Sequence, residues 1–588
     1  MKLLTSPCRF ERAFLLFAWL ALPFSLKGHG TLGDPIIDLE EFNIQGKAYD
    51  LVGLTMTSST GVANNSELSQ RPFQRRGELL EVVPGMIVTQ HAGGGKANQY
   101  FIRGYNLDHG TDFHVGVDGM PVNFRNHAHG QGYADINFII PEFTEGLEYF
   151  KGPFFAEFGD LSTAGGAEYK FFHELPAGIA SFSIGEHGYH RVLLGDSFAL
   201  EKGVLTVGAE YSHEDGPWLV ENNYDRYNVF ARYHQGDKVN FFDVTLLYHD
   251  GEWLSSDQIP MRGVESGLID RFGTVDDTTG GNTTRQSGQI NWRQEDGASV
   301  NTLDAWFGFY DLELYSNFTY FLGDPVNGDQ FEQNDGRYFG GFNFTRKTDH
   351  DFNGRESTTS MGLQTRYDWI SDLGLYLSSH RQRLSTVRKD DIDSGNFSAF
   401  LENETQFTDT FKAGLGVRAD YFVFDVDSDN PLNSGKESDE IISPKLNLVF
   451  GPWDQTELYV NAGFGFHSND ARGVTIAIDP NDGVTPADPV DPLVRTKGAE
   501  IGIRSSAAQN TTVTATLWYL ESDSELVFVG DGGATEPSDG SERWGIEITS
   551  YWRPTEWLAV DAEYAYVDAK FVGVAPGFSK IPNSIDHS

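Results

Sequence analysis

From about residue 176 to the end of the chain, apolar and polar residues alternate with a period of two in one segment after another. In Phe411–Tyr421, one face carries Phe411, Ala413, Leu415, Val417, Ala419 and Tyr421, and the other carries Lys412, Gly414, Gly416, Arg418 and Asp420. Leu458–His467 sets Leu458, Val460, Ala462, Phe464 and Phe466 opposite Asn461, Gly463, Gly465 and His467, and Leu558–Tyr566 repeats the pattern with Asp561 and Glu563 on its polar face. Successive side chains of a strand point to opposite faces, so each segment reads as a strand with one greasy and one wet side. The runs extend over about 10–14 residues, whereas strands of soluble sheets typically have about 5–6. That length favours a barrel with hydrocarbon outside and water inside over a sandwich or propeller.

The connections sharpen this reading. They are short at Pro452–Gln455, Ser505–Asn510 and Arg553–Thr555, and long at His467–Arg495 and Glu521–Glu542. Outer-membrane barrels alternate short periplasmic turns with longer extracellular loops, a rhythm a propeller has no reason to adopt. About 18 or 19 strands are counted in this way. The strand at residues 556–569 runs outward, and an edge left open beyond it would place unpaired N–H and C=O groups in lipid. A barrel incomplete at its C-terminus, with its last strands missing, is therefore expected.

The first residues have a different character. Lys2, Arg9 and Arg12 precede the apolar run Ala13–Leu22, followed by Pro23, which matches a secretory signal peptide over residues 1–30. The chain's single cysteine, Cys8, would leave with it, so disulfides, thiolate metal sites and cysteine nucleophiles are excluded from the mature chain. The 85 acidic residues against 43 Lys and Arg give a formal charge of -42, which argues against nucleic acid as a partner. Residues 31–75 are mixed polar and read as a loosely ordered periplasmic segment; a compact α+β unit follows over 76–172, and the barrel over 173–588.

The compact unit carries a family resemblance. Glu78-Leu-Leu-Glu-Val-Val-Pro-Gly85, Gln99-Tyr-Phe-Ile-Arg-Gly104, Val117-Asp-Gly-Met-Pro-Val122, Glu145-Gly-Leu-Glu-Tyr-Phe-Lys-Gly-Pro153 and Ala164-Gly-Gly-Ala-Glu-Tyr169 follow one another in an order that resembles the plug of TonB-dependent outer-membrane receptors. Ser443–Leu448 with Leu458–Phe466 is the best match in the barrel. The resemblance implies a mainly β protein: a large antiparallel transmembrane barrel of the roughly 22-stranded type, with the plug filling its lumen. It also implies residence in the outer membrane of a Gram-negative bacterium, among lipid and lipopolysaccharide, as a monomer without a cofactor. Uptake of a small-molecule or metal-chelate substrate would be gated by the plug and driven by TonB with ExbB–ExbD. Arg103, in the Ile-Arg-Gly motif, stands where the family's plug arginines pair with barrel acids. The best TonB-box candidate, Glu41, Phe42, Asn43, Ile44 and Gln45, matches the family pattern poorly.

Within the plug region, His109 and His114 are followed closely by His127 and His129, with Asp108, Asp112, Asp118 and Asp135 nearby. Neutral imidazole is the commonest transition-metal ligand, so this cluster is a candidate contact for a metal ion or metal chelate. The same residues also suit a structural hydrogen-bonding network or an organic ligand. The nucleophile elbow, the His-Glu-x-x-His zinc motif and the phosphate loop are absent from the sequence, and no enzyme is expected. Import of a scarce solute, most simply a siderophore, another metal complex or a metal ion, is the leading functional expectation. Import of a vitamin or oligosaccharide, and a surface-signalling barrel with little transport, are the alternatives.

Overall fold

The computed structural model describes residues 51–588 except 72–74, 91–92, 526, 537, 556 and 576. The signal-peptide stretch, Cys8 and the box candidate Glu41–Gln45 lie outside the described residues. Among the described residues, seventeen strands form a closed barrel in chain order, from Ile179–Ile184 to Leu558–Phe571. Its strands pair antiparallel with their chain neighbours in long continuous ladders.

The alternation maps onto an inside-out wall. In the strand Phe411–Ser428, Leu415, Val417 and Tyr421 are exposed on the outer face, at 65%, 41% and 46%. Their neighbours Arg418 and Asp420 are each 3% exposed and point inward. Exposed greasy residues beside buried charges invert the order of a water-soluble sheet, and suit a wall with lipid outside and a polar filling within.

Strand length exceeds the sequence reading. Glu356–Ser379 and Gln382–Thr408 have 24 and 27 residues and meet in a tight turn at His380 and Arg381. At ~3.3 Å per residue the longer one far outreaches a hydrocarbon layer of roughly 30 Å. Its first five residues, Gln382–Thr386, are exposed in succession, so no two-faced alternation marks them. Such hairpins can be read as more than one segment, and the barrel has seventeen strands where the alternation suggests more.

One further expectation changes. Phe466, assigned to the lipid face, is fully buried and meets Phe422 edge-on at 5.8 Å. Pairing of its strand with the preceding one ends at Lys445↔Gly463, and the freed end leans inward to bridge Asp160 of the plug. The tail returns along the last strand, with Val567 N–H donating to Asp586 O and Ala565 exchanging two hydrogen bonds with Ser588.

The lumen holds the N-terminal unit. Its main sheet has the order Gly61–Asn64, Thr144–Lys151, Gly165–Phe171, Phe113–Val117, Met120–Pro121. The last two strands meet in the Asp118-Gly119 turn, where both residues have positive φ as a two-residue hairpin requires. A Cβ at Gly119 would also lie 2.6 Å from Asp304 of the wall. The 3-10 turn Arg76–Val82 buries Leu79, Leu80 and Val82, which join Phe230, Trp306 and Phe339 of the wall in one apolar cluster. The folded plug begins earlier than residue 76. Gly61–Asn64 is its edge strand, and the polar run read as loose is docked on the wall: Ser58 Oγ lies 2.8 Å from Thr516 Oγ1, and Met56 O accepts from Asn461 Nδ2 at 2.8 Å.

Candidate functional site

Arg103 sits in the two-residue turn between Gln99–Ile102 and Tyr105–Asn106, and both Arg103 and Gly104 have positive φ. A non-glycine residue in this region is strained, and here the turn aims the guanidinium at the wall. Arg103 Nε donates to Glu547 Oε1 at 3.0 Å and Nη2 to Glu547 Oε2 at 3.1 Å, with Glu500 Oε2 3.4 Å away. Lys151 Nζ lies 2.7 Å from the same Glu547, and Ser59 Oγ donates to Glu500 at 2.8 Å. Two cations from the plug and two carboxylates from the wall thus form one buried knot. Gly104 is required beside it, since a Cβ there would lie 2.7 Å from Val567.

The apex of the plug, residues 126–131, faces the long-loop end of the barrel. His127, His129 and His109 are buried there around Tyr133. His127 stacks on Tyr133 at 3.8 Å, and the rings of His109 and His129 lie 4.6 Å apart. Hydrogen bonds assign the tautomers. His109 Nδ1 faces Ala97 O at 2.9 Å and Asn98 O at 3.1 Å, so it carries the proton and leaves Nε2 with the lone pair. His129 Nδ1 likewise faces Gln333 Oε1 at 2.8 Å, and its Nε2 is buried without a hydrogen bond. His127 Nδ1 accepts from the His129 N–H at 3.2 Å, which directs its Nε2–H to Tyr310 Oη at 3.2 Å. The charges of Asp108, Asp257 and Asp531 act on buried Lys96, and the Lys96 ammonium in turn acts on the His109 and His129 rings.

Two loops roof this apex. In the 469–492 loop, Ala471 N–H donates to Asn126 Oδ1 and Arg472 Nη2 to His127 O, both at 2.6 Å. In the 523–540 loop, Gly530 lies so close that a Cβ would stand 2.4 Å from His129 O. Arg388 ties the two together, donating to Gly533 O and Arg472 O, each at 3.2 Å.

His114 is not part of this group. It lies on a plug strand with Nε2 2.6 Å from Glu168 Oε1 and lines a polar cavity of about 260 Å³ between plug and wall, with Arg125, Glu157, Asp304 and Arg366. Among the described residues, the group of His and acidic side chains whose ligand atoms all lie within 4.8 Å of one another is elsewhere, at His173, His234 and Asp243. Sequence reasoning missed Lys96, Tyr133, Gln333 and Arg472 at the apex. Tyr133 lies two residues past the His127–Gln131 stretch and was within reach of the sequence, whereas the wall and loop residues carry no local mark.

The apex histidines set a pH dependence. Burial, reinforced by Lys96, pushes His109 down to about 3, and burial together with Arg337, Arg472 and Lys96 holds His127 and His129 well below their ordinary value. All three are therefore neutral when the apex is closed. Between the ordinary value of 6.5 and these depressed values, an opened apex binds protons that the closed one refuses. Closure is complete above pH 6.5 and weakens as pH falls, by up to ~1.4 kcal/mol per pH unit for each ring. Hydrogen exchange at residues 126–131 is expected to accelerate from pH 7.5 to 5.5 after correction for intrinsic rates. A flat profile would show that the rings do not open to water.

A family model described as "TonB dependent receptor-like, beta-barrel" matches residues 220–585, and one described as "TonB-dependent Receptor Plug Domain" matches residues 54–166. Among solved structures, the chain is similar to the ferric citrate transporter FecA in its unliganded form, at 15% identity and a TM-score of 0.71, over 92% of this chain and 82% of that one. The ferric yersiniabactin uptake receptor FyuA from Yersinia pestis is similar at 14% identity and a TM-score of 0.68, over 90% and 82%. The copper transporter OprC matches at 15% and 0.67, over 87% and 79%. At these identities the likeness to solved structures is one of fold.

Proposed function

Because this chain belongs to the TonB-dependent receptor family, whose barrel model spans more than half of it, we propose that it imports a scarce metal complex, such as a metal-loaded siderophore, or a metal ion. The family is one of outer-membrane transporters of Gram-negative bacteria rather than enzymes, and its members take small-molecule substrates and engage TonB. The observation that carries the metal reading is the apex: His129 holds a buried Nε2 without a hydrogen bond, and its ring lies 4.6 Å from that of His109. Neutral imidazole is a donor that suits zinc, copper, iron and nickel. The named cargoes of the similar structures, ferric citrate, ferric yersiniabactin and copper, point the same way.

In this reading, cargo enters under the roof loops from outside, displaces Arg472 and Gly530 from the apex, and meets the imidazoles. TonB, energised by ExbB–ExbD, pulls the exported chain's N-terminal segment, and the plug shifts along its wet side. The 260 Å³ cavity beside His114 supports that route, since a polar, hydrated interface slides at less cost than an apolar one. Residues 1–30 act as the export signal, and the receptor works as a monomer surrounded by lipid and lipopolysaccharide.

The deciding test is to purify the full-length protein from iron-limited and from zinc-limited cells and identify co-purified metals and small molecules by mass spectrometry. Stoichiometric metal or metal chelate is expected, with expression rising in the matching limitation. An organic ligand without metal, bound while the apex histidines are intact, would move the assignment to nutrient import.

A further inference from the structure

At the opposite end of the lumen, three side chains from separate elements converge. His173 lies two residues beyond Gly165–Phe171, the last strand of the plug, where the chain leaves for the barrel. His234 and Asp243 belong to the adjacent wall strands Tyr224–Gly236 and Phe241–Leu254 and are direct cross-strand partners above the short 237–240 turn. His173 Nδ1 lies 2.8 Å from Asp243 Oδ2, and His234 Nδ1 lies 2.6 Å from Asp243 Oδ1. The two rings are 4.4 Å apart, and Asp243 is 1% exposed. Phe241 covers His173 at 4.7 Å and His234 at 6.0 Å, providing an apolar shell.

We propose that His173, His234 and Asp243 form a binding site for a divalent transition cation of the Zn²⁺ type that clips the plug's exit segment to the barrel wall. The donor set is two imidazoles and one carboxylate, which leaves coordination positions for water. Ligands at ~2.0–2.2 Å from a tetrahedral ion stand about 3.3 Å from one another. The present separations are those of hydrogen bonds, so the rings need only retreat by about half an ångström, with each ring proton moving from Nδ1 to Nε2. Without an ion both rings rest against the Asp243 carboxylate, His234 in a hydrogen bond and His173 at ion-pair distance, and the site therefore holds its shape while it waits. The position gives the ion a role distinct from cargo. It fastens the end of the plug that remains attached to the barrel, while force on the other end draws the plug away. This inference is independent of the apex reading, because the residues and the face of the plug are different.

The test is calorimetric titration of chelator-stripped, full-length protein in detergent with Zn²⁺, in a His127→Ala/His129→Ala background that removes the apex imidazoles. One Zn²⁺ site is expected there, weakened at least about tenfold in His173→Ala, His234→Ala and Asp243→Asn. Zn²⁺ should also slow hydrogen exchange at residues 171–175 in the parent and not in these variants. X-ray absorption at the zinc edge in the same background should report two imidazoles, which keeps the proposal testable if a variant fails to fold. Absence of a Zn²⁺ site in the parent, or a site indifferent to all three substitutions, would overturn it. Neither result would touch the apex assignment.

Discussion

Replacing Arg103 with methionine is expected to unseat the plug while leaving the barrel inserted. The knot at this point contains two cations, Arg103 and Lys151, facing Glu547 and Glu500, and every side chain in it is buried. Removing Arg103 leaves two carboxylates against one lysine in a water-poor interface, and breaking a buried pair in this way costs about 3–5 kcal/mol. The loss falls on the plug–wall contact, because no outward-facing residue is touched. The urea concentration at which plug amides exchange should therefore drop sharply, and small antibiotics should leak through the barrel. Fluorescence should follow, since the Arg103 guanidinium lies 4.9 Å above the Trp518 ring. The double variant Arg103→Met/Glu547→Met should recover part of the loss, because it removes the orphaned charge as well. A single variant with the parent's urea threshold would show that the knot does not hold the plug.

Replacing His127 and His129 together with alanine is expected to abolish uptake without preventing membrane insertion. The two positions separate contact from scaffold. His127 is committed on both ring nitrogens and stacked on Tyr133, so its loss leaves Tyr310 Oη short of a partner and costs about 1–3 kcal/mol locally. His129 has a buried Nε2 with no hydrogen bond, so the single variant His129→Ala tests cargo contact with less structural damage. If His129 touches a metal, that variant alone should reduce cargo affinity and uptake at least about tenfold. The pH-dependent exchange of residues 126–131 should persist on His109. Unchanged uptake in the double variant would reduce the cluster to scaffolding.

How much of this was legible beforehand depends on the range of the interaction. Leu415, Val417 and Tyr421 opposite Arg418 and Asp420 announce a two-faced strand because a pleat alternates residue by residue, whatever lies around it. The Asp118-Gly119 turn is equally local, since glycine accepts positive φ at little cost. The plug motifs and the short–long rhythm of connections are likewise written along the chain. Phe466 was misplaced because the end of one strand pairing redirects its strand, and pairing depends on a neighbour elsewhere in the chain. Ser58 and Ser59 looked loose because polar residues resemble a linker until Thr516 and Glu500 supply their partners.

The sequence alone therefore determined the kind of wall, the presence of a body to fill it, and the identity of the arginine and histidines worth watching. Tertiary structure alone decided which acids receive Arg103, that His114 parts from His109, His127 and His129, and that His173 finds His234 and Asp243. A strand's two faces are set by the geometry of neighbouring peptide units. The meeting of side chains across the lumen is set by how seventeen strands register around a plug, and no short stretch of chain encodes that.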